Sequence, residues 1–104
     1  MSHQISICYG KPVDPAAFDE YYWTKHIPLA NKVPGLADYT YSKCTSLDGS
    51  EPAYYAVARL QFDTEDDLQK ALSSPEMRAA GKDVRNFATG GVTMYVQNVE
   101  SVLA

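Results

Sequence analysis

The stretch FDEYYWTKHIPLANKVPGL, residues 18–36, lies between two alternating runs of the chain and decides how they are joined. Phe18, Tyr22, His26 and Leu29 recur at spacings of four, four and three, which is the stripe of a helix with one face turned inward. Asp14 is a preferred N-cap and Pro15 suits the first helical position, so the helix is expected to start at about residue 15. Val13 and Phe18 stand at the two places of a hydrophobic staple. Pro28 has no N–H, so the Thr24 carbonyl loses its usual partner, and a kink or break near His26 follows. PGL, residues 34–36, ends the segment. A histidine on such a stripe is either a hydrogen-bonded core residue or one that faces a pocket.

On either side of this helix the period changes to two. In HQISICY, residues 3–9, Ile5, Ile7 and Tyr9 point one way and Gln4, Ser6 and Cys8 the other, as in a strand. ADYTYSKCTS, residues 37–46, alternates again, and LDGSEP follows as a turn. YYAVARLQFD, residues 54–63, is a third strand. Thr64, with Asp67 three residues on, opens a helix over EDDLQKALSS with Leu68, Ala71 and Leu72 inward and early acids that suit the helix dipole. Ser74-Pro75 restarts a short helix that Gly81 is expected to interrupt, and KDVRNFA reads as a further turn with Val84 and Phe87 inward. GGVTMYVQNVE, residues 90–100, is the last strand. The order is βαββαβ, an α+β, ferredoxin-like arrangement with a four-stranded antiparallel sheet and both helices on one face. One sheet face collects Ile5, Ile7, Tyr9, Tyr39, Tyr41, Ala56, Ala58, Leu60, Phe62, Val92, Met94 and Val96, and belongs under the helices. The other carries Ser6, Cys8, Thr40, Ser42, Cys44, Tyr55, Val57, Arg59, Gln61, Thr93, Tyr95 and Gln97. It is too polar for a core and rich in Tyr, Val and Cys for plain solvent, and it reads as a subunit interface.

The chain has 104 residues, 45% of them hydrophobic and 21% charged, which fits one globular domain over 1–104. At this length dimerisation would help to complete the core. A net charge of −4 and the lack of a basic run argue against nucleic-acid binding. No stretch has the length or apolarity of a signal peptide or membrane span, which makes the cytoplasm the expected compartment. Cys8 and Cys44 have neither metal-site nor CxxC spacing and read as reduced thiols. His3 and His26 with scattered acids make no metal site by spacing, and TGGV stands in the wrong context for a phosphate loop. Eight tyrosines are many for this length and suit interfaces, pockets or ordinary strands alike.

FDEYYWTKHIPLANKVPGL, together with SPEMRAAGKDVRNFATGGVTMYV and the βαββαβ frame, resembles the EthD-like family of the dimeric α+β barrel superfamily. The resemblance runs through nearly the whole chain, and HIPLANKVPGL is its most specific part. It implies that two sheets pair face to face as a homodimeric barrel. It also implies a pocket between sheet and helices in each subunit, lined by His26 and the kink at Pro28. The superfamily includes cofactor-free monooxygenases, polyketide cyclases, lactone isomerases, dehydratases and haem-binding members, so the fold does not fix a reaction.

His26 is the leading catalytic candidate, because imidazole gives and takes protons near neutral pH. Tyr22, Tyr39 and Tyr41 are candidates for stacking on a substrate or stabilising an enolate, against plain core packing. Trp23 and Phe87 are further candidates for the pocket wall, Trp23 with packing against a partner as its competing role. Asp83 is a candidate to orient His26, while Asp83 and Arg85 as solvated charges is the plainer reading. The expectation is a homodimer without metal or organic cofactor that acts on a hydrophobic, oxygenated small molecule. The reaction would be dehydration, cyclisation or isomerisation by general acid/base chemistry. The alternatives are a non-catalytic ligand carrier for a partner oxidase and a cofactor-free monooxygenase of phenols.

Overall fold

A computed structural model of the protein describes residues 2–103. Four strands, β1 (Ser2–Tyr9), β2 (Asp38–Lys43), β3 (Ala56–Phe62) and β4 (Val92–Val99), form one sheet in the order β2-β3-β1-β4. Every neighbouring pair is antiparallel. The register lines up Tyr39, Leu60, Ile5 and Val96 in one row and Tyr41, Ala58, Ile7 and Met94 in the next. These are the side chains assigned above to the helix-covered face. The α+β ferredoxin-like arrangement is therefore present.

Helix α1 (Pro15–Tyr21) starts where expected, with the Asp14 carboxylate accepting from the Ala17 N–H and Pro15 at its first turn. The staple does not form: the Val13 side chain is 86% exposed, and its N–H is spent on Thr89 Oγ1 instead. The break expected at Pro28 takes another form. A π-helical turn (Tyr22–His26) follows α1, and the short α2 (Ile27–Ala30) continues from it. The Ile27 N–H bonds the Tyr22 carbonyl, five residues back, so the helix widens just where Pro28 removes the next donor. This turn corrects the stripe. Phe18, Tyr22, His26 and Ala30 are buried, whereas Leu29 is only half-buried. In an α-helix each step of four overshoots a full turn by about 40°. The wider π turn takes part of that back, so a spacing of four keeps one face throughout.

Helix α3 (Glu65–Leu72) is capped by Thr64, which accepts from the Asp67 N–H, and α4 (Pro75–Asp83) by Ser74, which accepts from the Met77 N–H. Contrary to expectation, α4 runs through Gly81 without interruption. One glycine costs a helix only about 1 kcal/mol against alanine, less than the packing of the buried Ala80 and Asp83 on either side holds in place. A 3₁₀ turn, Val84–Asn86, then leads to the buried Phe87. Leu72 is 41% exposed rather than fully inward. Tyr55 precedes β3, so alternation does not govern it. Its ring packs edge-on against Phe18 on the helix side, with its hydroxyl on Asp19.

Two clusters make the core. One holds Tyr9, Phe18, Tyr22 and Phe87 above Ala56 and Ala58, and the other Ile5, Val33, Leu60, Phe62, Leu68 and Ala71. The alanines are what let the rings lie on the sheet: Ala56 faces Tyr9 and Ala58 faces Tyr41 across the strands. TGGV has a structural use. Gly90 crosses the Gly10–Lys11 backbone so closely that a Cβ on Gly10 or Gly90 would collide with it. Cys8 and Cys44 are free thiols. On the second sheet face Gln97 Oε1 accepts from Gln4 Nε2 at 2.8 Å and from Ser6 Oγ at 2.5 Å. Among the described residues no helix is long and apolar enough to cross a membrane.

Candidate functional site

Between the sheet and the helices lies a cavity of about 330 Å³. Ile5, Ile7 and Leu60 form its floor, and Met77, Ala80 and Val84 of α4 and the following turn form one wall. His26 and Ala30 form the other wall. Met94 and Val96 of the edge strand and Leu72, all substantially exposed, rim it. Gly81 lines it too, and a Cβ there would meet open space. The lining is almost wholly apolar, as ligand cavities are.

His26 is 3% exposed, and its Nδ1 lies 2.9 Å from Asp83 Oδ2. The π turn delivers the imidazole, and the last residue of α4 delivers the carboxylate. Asp83 is itself buried rather than solvated. Its other oxygen accepts from the Tyr21 hydroxyl at 2.6 Å and from Asn86 Nδ2 at 3.0 Å. Burial pushes the Asp83 carboxyl up, but the hydrogen bonds from Tyr21, Asn86 and His26 together outweigh it and hold the group below the ordinary carboxylate value. Burial lowers the pKa of His26, and the hydrogen bond and charge of Asp83 oppose that without reversing it. At neutral pH the pair is thus a carboxylate and a neutral imidazole. An ionised carboxylate only accepts, so the ring proton sits on Nδ1 and the lone pair on Nε2. With Nδ1 spent on Asp83, Nε2 is the nitrogen left for chemistry at the cavity.

The tyrosines divide. Tyr39 lines the cavity. Tyr22 is fully buried, and its hydroxyl lies 2.6 Å from that of Tyr39. Tyr41 lies outside the cavity and stacks on Tyr22 with ring centroids 4.3 Å apart. Phe87 is likewise outside and supports the His26 ring at 4.7 Å. Trp23 is 58% exposed and rests edge-on against Tyr41, away from the cavity. It sits on the outer side of the π turn, one residue past the buried Tyr22. Arg85 is exposed. Sequence reasoning missed Tyr21, Asn86 and Gly81. The spacing of three between Asp83 and Asn86 was the one local signal for Asn86, a glycine inside a helix that keeps its apolar stripe was the signal for Gly81, and Tyr21, 62 residues from Asp83, had none. Among the described residues no group of three or more His, Cys, Asp or Glu side chains is placed to hold a metal ion.

Comparison with known proteins agrees with this architecture. The chain is 46% identical over 101 residues to an uncharacterized 11.0 kDa protein in the thcB–thcC intergenic region of Rhodococcus erythropolis, covering 97% of this chain and 98% of that one. An EthD family protein from Bacillus halodurans has a crystal structure that matches with a TM-score of 0.88 at 33% identity, over 96% of this chain and 100% of that one. A dimeric ferredoxin-like protein of unknown function from Thermobifida fusca matches with a TM-score of 0.70 at 18% identity, over 95% and 92% of the two chains. At that identity the likeness concerns the fold alone. The EthD domain model itself matches residues 10–91, and with the sheet, the helices and the long matches to relatives this places the chain in the EthD domain family.

Proposed function

We propose that the protein is a homodimeric enzyme that moves a proton on a hydrophobic, oxygenated small molecule, with His26 as general base and acid and Asp83 as the residue that orients it. The observation that carries this reading is the buried His26–Asp83 pair at 2.9 Å on an apolar cavity. A neutral core histidine has one donor and one acceptor to satisfy, and here only the Nδ1 side has a protein partner. That partner is a carboxylate whose other oxygen is held by two further donors, Tyr21 and Asn86, which fixes both the tautomer and the ring. The reaction falls in the dehydration, cyclisation or isomerisation class, each of which needs a proton taken from carbon or oxygen and returned nearby. No metal or organic cofactor is required for it. Tyr22, Tyr39, Tyr41 and Phe87 hold the pocket in shape. A cytoplasmic, single-domain protein fits the composition.

The homodimer is supported by the second sheet face. Tyr95 is 46% exposed there, beside the half-buried Gln97, whose side chain the buried Gln4 and Ser6 hold in place. The protein from Thermobifida fusca with this fold is dimeric. Native mass spectrometry tests both points at once. A dimer is expected, with a small molecule released on mild denaturation or taken up from a panel of hydrophobic ketones and phenols. A monomer would remove the assembly from the proposal. The chemistry is tested by deuterium exchange: in D2O the protein should exchange the α-hydrogens of a bound apolar ketone, and His26→Ala should abolish this with the fold intact. Exchange that survives His26→Ala would refute the assignment.

A further inference from the structure

We infer that Tyr39 is the hydrogen-bond donor to the ligand, that Tyr22 behind it is its positioning residue, and that the cavity therefore takes a neutral apolar molecule bearing a carbonyl group. This rests on the proton-transfer reading of the same cavity and adds the class of molecule. Tyr22 has no exposed surface, and Tyr39 is the one partner found for its hydroxyl. Only one proton fits between two oxygens 2.6 Å apart. Were it the proton of Tyr39, the Tyr22 O–H would join the Tyr9 and Tyr41 hydroxyls as a third buried group without a protein partner, a cost the opposite direction avoids because Tyr39 reaches the cavity. So Tyr22 donates to Tyr39. Tyr39, which lines the cavity, keeps its own O–H for whatever fills it. Accepting from Tyr22 also makes that O–H a better donor, because bonds in a chain polarise one another.

The rest of the lining restricts the occupant further. Apart from His26 and Tyr39, only Tyr95 among the lining residues has a hydrogen-bonding side chain. It belongs to the opposite face of β4, where its hydroxyl meets Cys8. No lysine or arginine lines the cavity, so a carboxylate or phosphate would be buried without a counter-charge. One donor, Tyr39, and one base, His26 Nε2, match a ketone with α-hydrogens. The α C–H bond breaks, its proton passes to Nε2, its electron pair becomes the C=C bond of the enolate and the C=O π pair moves onto the carbonyl oxygen. The Tyr39 O–H bonds the resulting enolate oxygen. Return of a proton from His26 to carbon restores the ketone or leaves its isomer, and no oxidant or reductant is needed.

The pair 1-tetralone and tetralin, alike in shape and different in the carbonyl, tests this. The wild-type protein should bind tetralone about twofold to twelvefold more tightly, the range of one neutral hydrogen bond. The infrared stretch of 13C-carbonyl tetralone should fall on binding. Tyr39→Phe should erase both the preference and the shift while still binding tetralin, which shows that the cavity is intact. Tyr22→Phe should keep a smaller shift. A preference or shift that survives Tyr39→Phe would overturn the inference, as would failure of both probes to bind. The two readings fail separately. A Tyr39-dependent shift with no deuterium entering tetralone at carbon 2 keeps this inference and sinks the role of His26. Deuterium entry that is indifferent to Tyr39→Phe does the reverse.

Discussion

Asp83→Asn isolates what the carboxylate does for His26. In the wild-type protein the two Asp83 oxygens accept from Tyr21 at 2.6 Å, Asn86 at 3.0 Å and His26 Nδ1 at 2.9 Å. Asparagine has one acceptor oxygen. Placed where Tyr21 and Asn86 both need it, that oxygen leaves the amide N–H2 facing His26 Nδ1. Two donors cannot meet, so the ring proton moves from Nδ1 to Nε2 and Nδ1 becomes the acceptor. The substitution keeps the shape and inverts the tautomer, and Nε2 loses the lone pair that makes it a base. Each of the three hydrogen bonds falls from the charge-assisted range, about 1.5–3 kcal/mol, to the neutral range, about 0.5–1.5 kcal/mol. Relief from burying a charge offsets part of that loss, so a net cost of about 1–2 kcal/mol is expected. For a domain of this size that lowers Tm by about 5–15 °C.

The assay is 15N NMR of the His26 ring nitrogens beside a thermal melt. The wild-type protein should show a protonated Nδ1 and a bare Nε2 at neutral pH, and Asp83→Asn the opposite. Ketone exchange should fall by several orders of magnitude, far beyond what lost stability accounts for, since the variant is still folded at assay temperature. A variant that keeps the proton on Nδ1, or that keeps its exchange rate with the tautomer inverted, would refute the reasoning.

Gly81→Ala should raise stability by about 1 kcal/mol, read as a higher Tm, because it removes a helix-interior glycine and its Cβ meets nothing. Gly81→Leu should keep the fold and lose tetralin binding, since the added side chain enters from the cavity lining. Tyr9→Phe should leave stability unchanged or raise it, because the Tyr9 hydroxyl is buried without a protein partner; a loss above about 1 kcal/mol in urea unfolding would mean that this hydroxyl is bonded. For pH, His26 in the fold lies below its ordinary value of 6.5, so the unfolded chain takes up the proton first. Stability should be full above that value and fall as pH drops below it, levelling once the folded imidazole is protonated too. Asp83 is likewise lowered from 3.8 and adds a second loss at more acid pH. Melts of His26→Gln should lack the upper limb and keep the lower.

The sheet was legible because strand period is short and local. Ile5, Ile7 and Tyr9 alternate within one run, and each pairing partner alternates too, so the two faces could be assigned before any contact was known. Tyr55 escaped because it lies just outside a strand, where the period no longer holds. His26 was legible as inward-facing from its spacing to Tyr22. The π turn behind that spacing was not, since steps of four and three describe an ordinary α-helix and only the burial of Ala30 in place of Leu29 separates the two. What surrounds His26 was least legible of all. Tyr21 and Asp83 are 62 residues apart in the chain, and no periodicity links the end of α1 to the end of α4. Trp23 invited a pocket role through its size, but a helix turns about 100° per residue. One step beyond the buried Tyr22 is enough to face solvent.

The two polar contacts of the cavity share one plan. In each, a side chain behind the wall uses up one hydrogen-bonding group of the side chain in the wall, and so sets which kind of group remains to face the ligand. Asp83 takes the proton side of His26 and leaves an acceptor. On the direction inferred above, Tyr22 fills the acceptor side of Tyr39 and leaves a donor. Opposite polarities in one apolar space favour a molecule that is acid at one atom and basic at a neighbouring one, which a hydrocarbon is not and an enolisable ketone is. Tyr22 and His26 are also the first and last residues of the π turn. A change that let this turn tighten to an α-helix would move both contacts together, even with every side chain of the site in place. The widened turn is therefore as much part of the proposed site as the imidazole it carries.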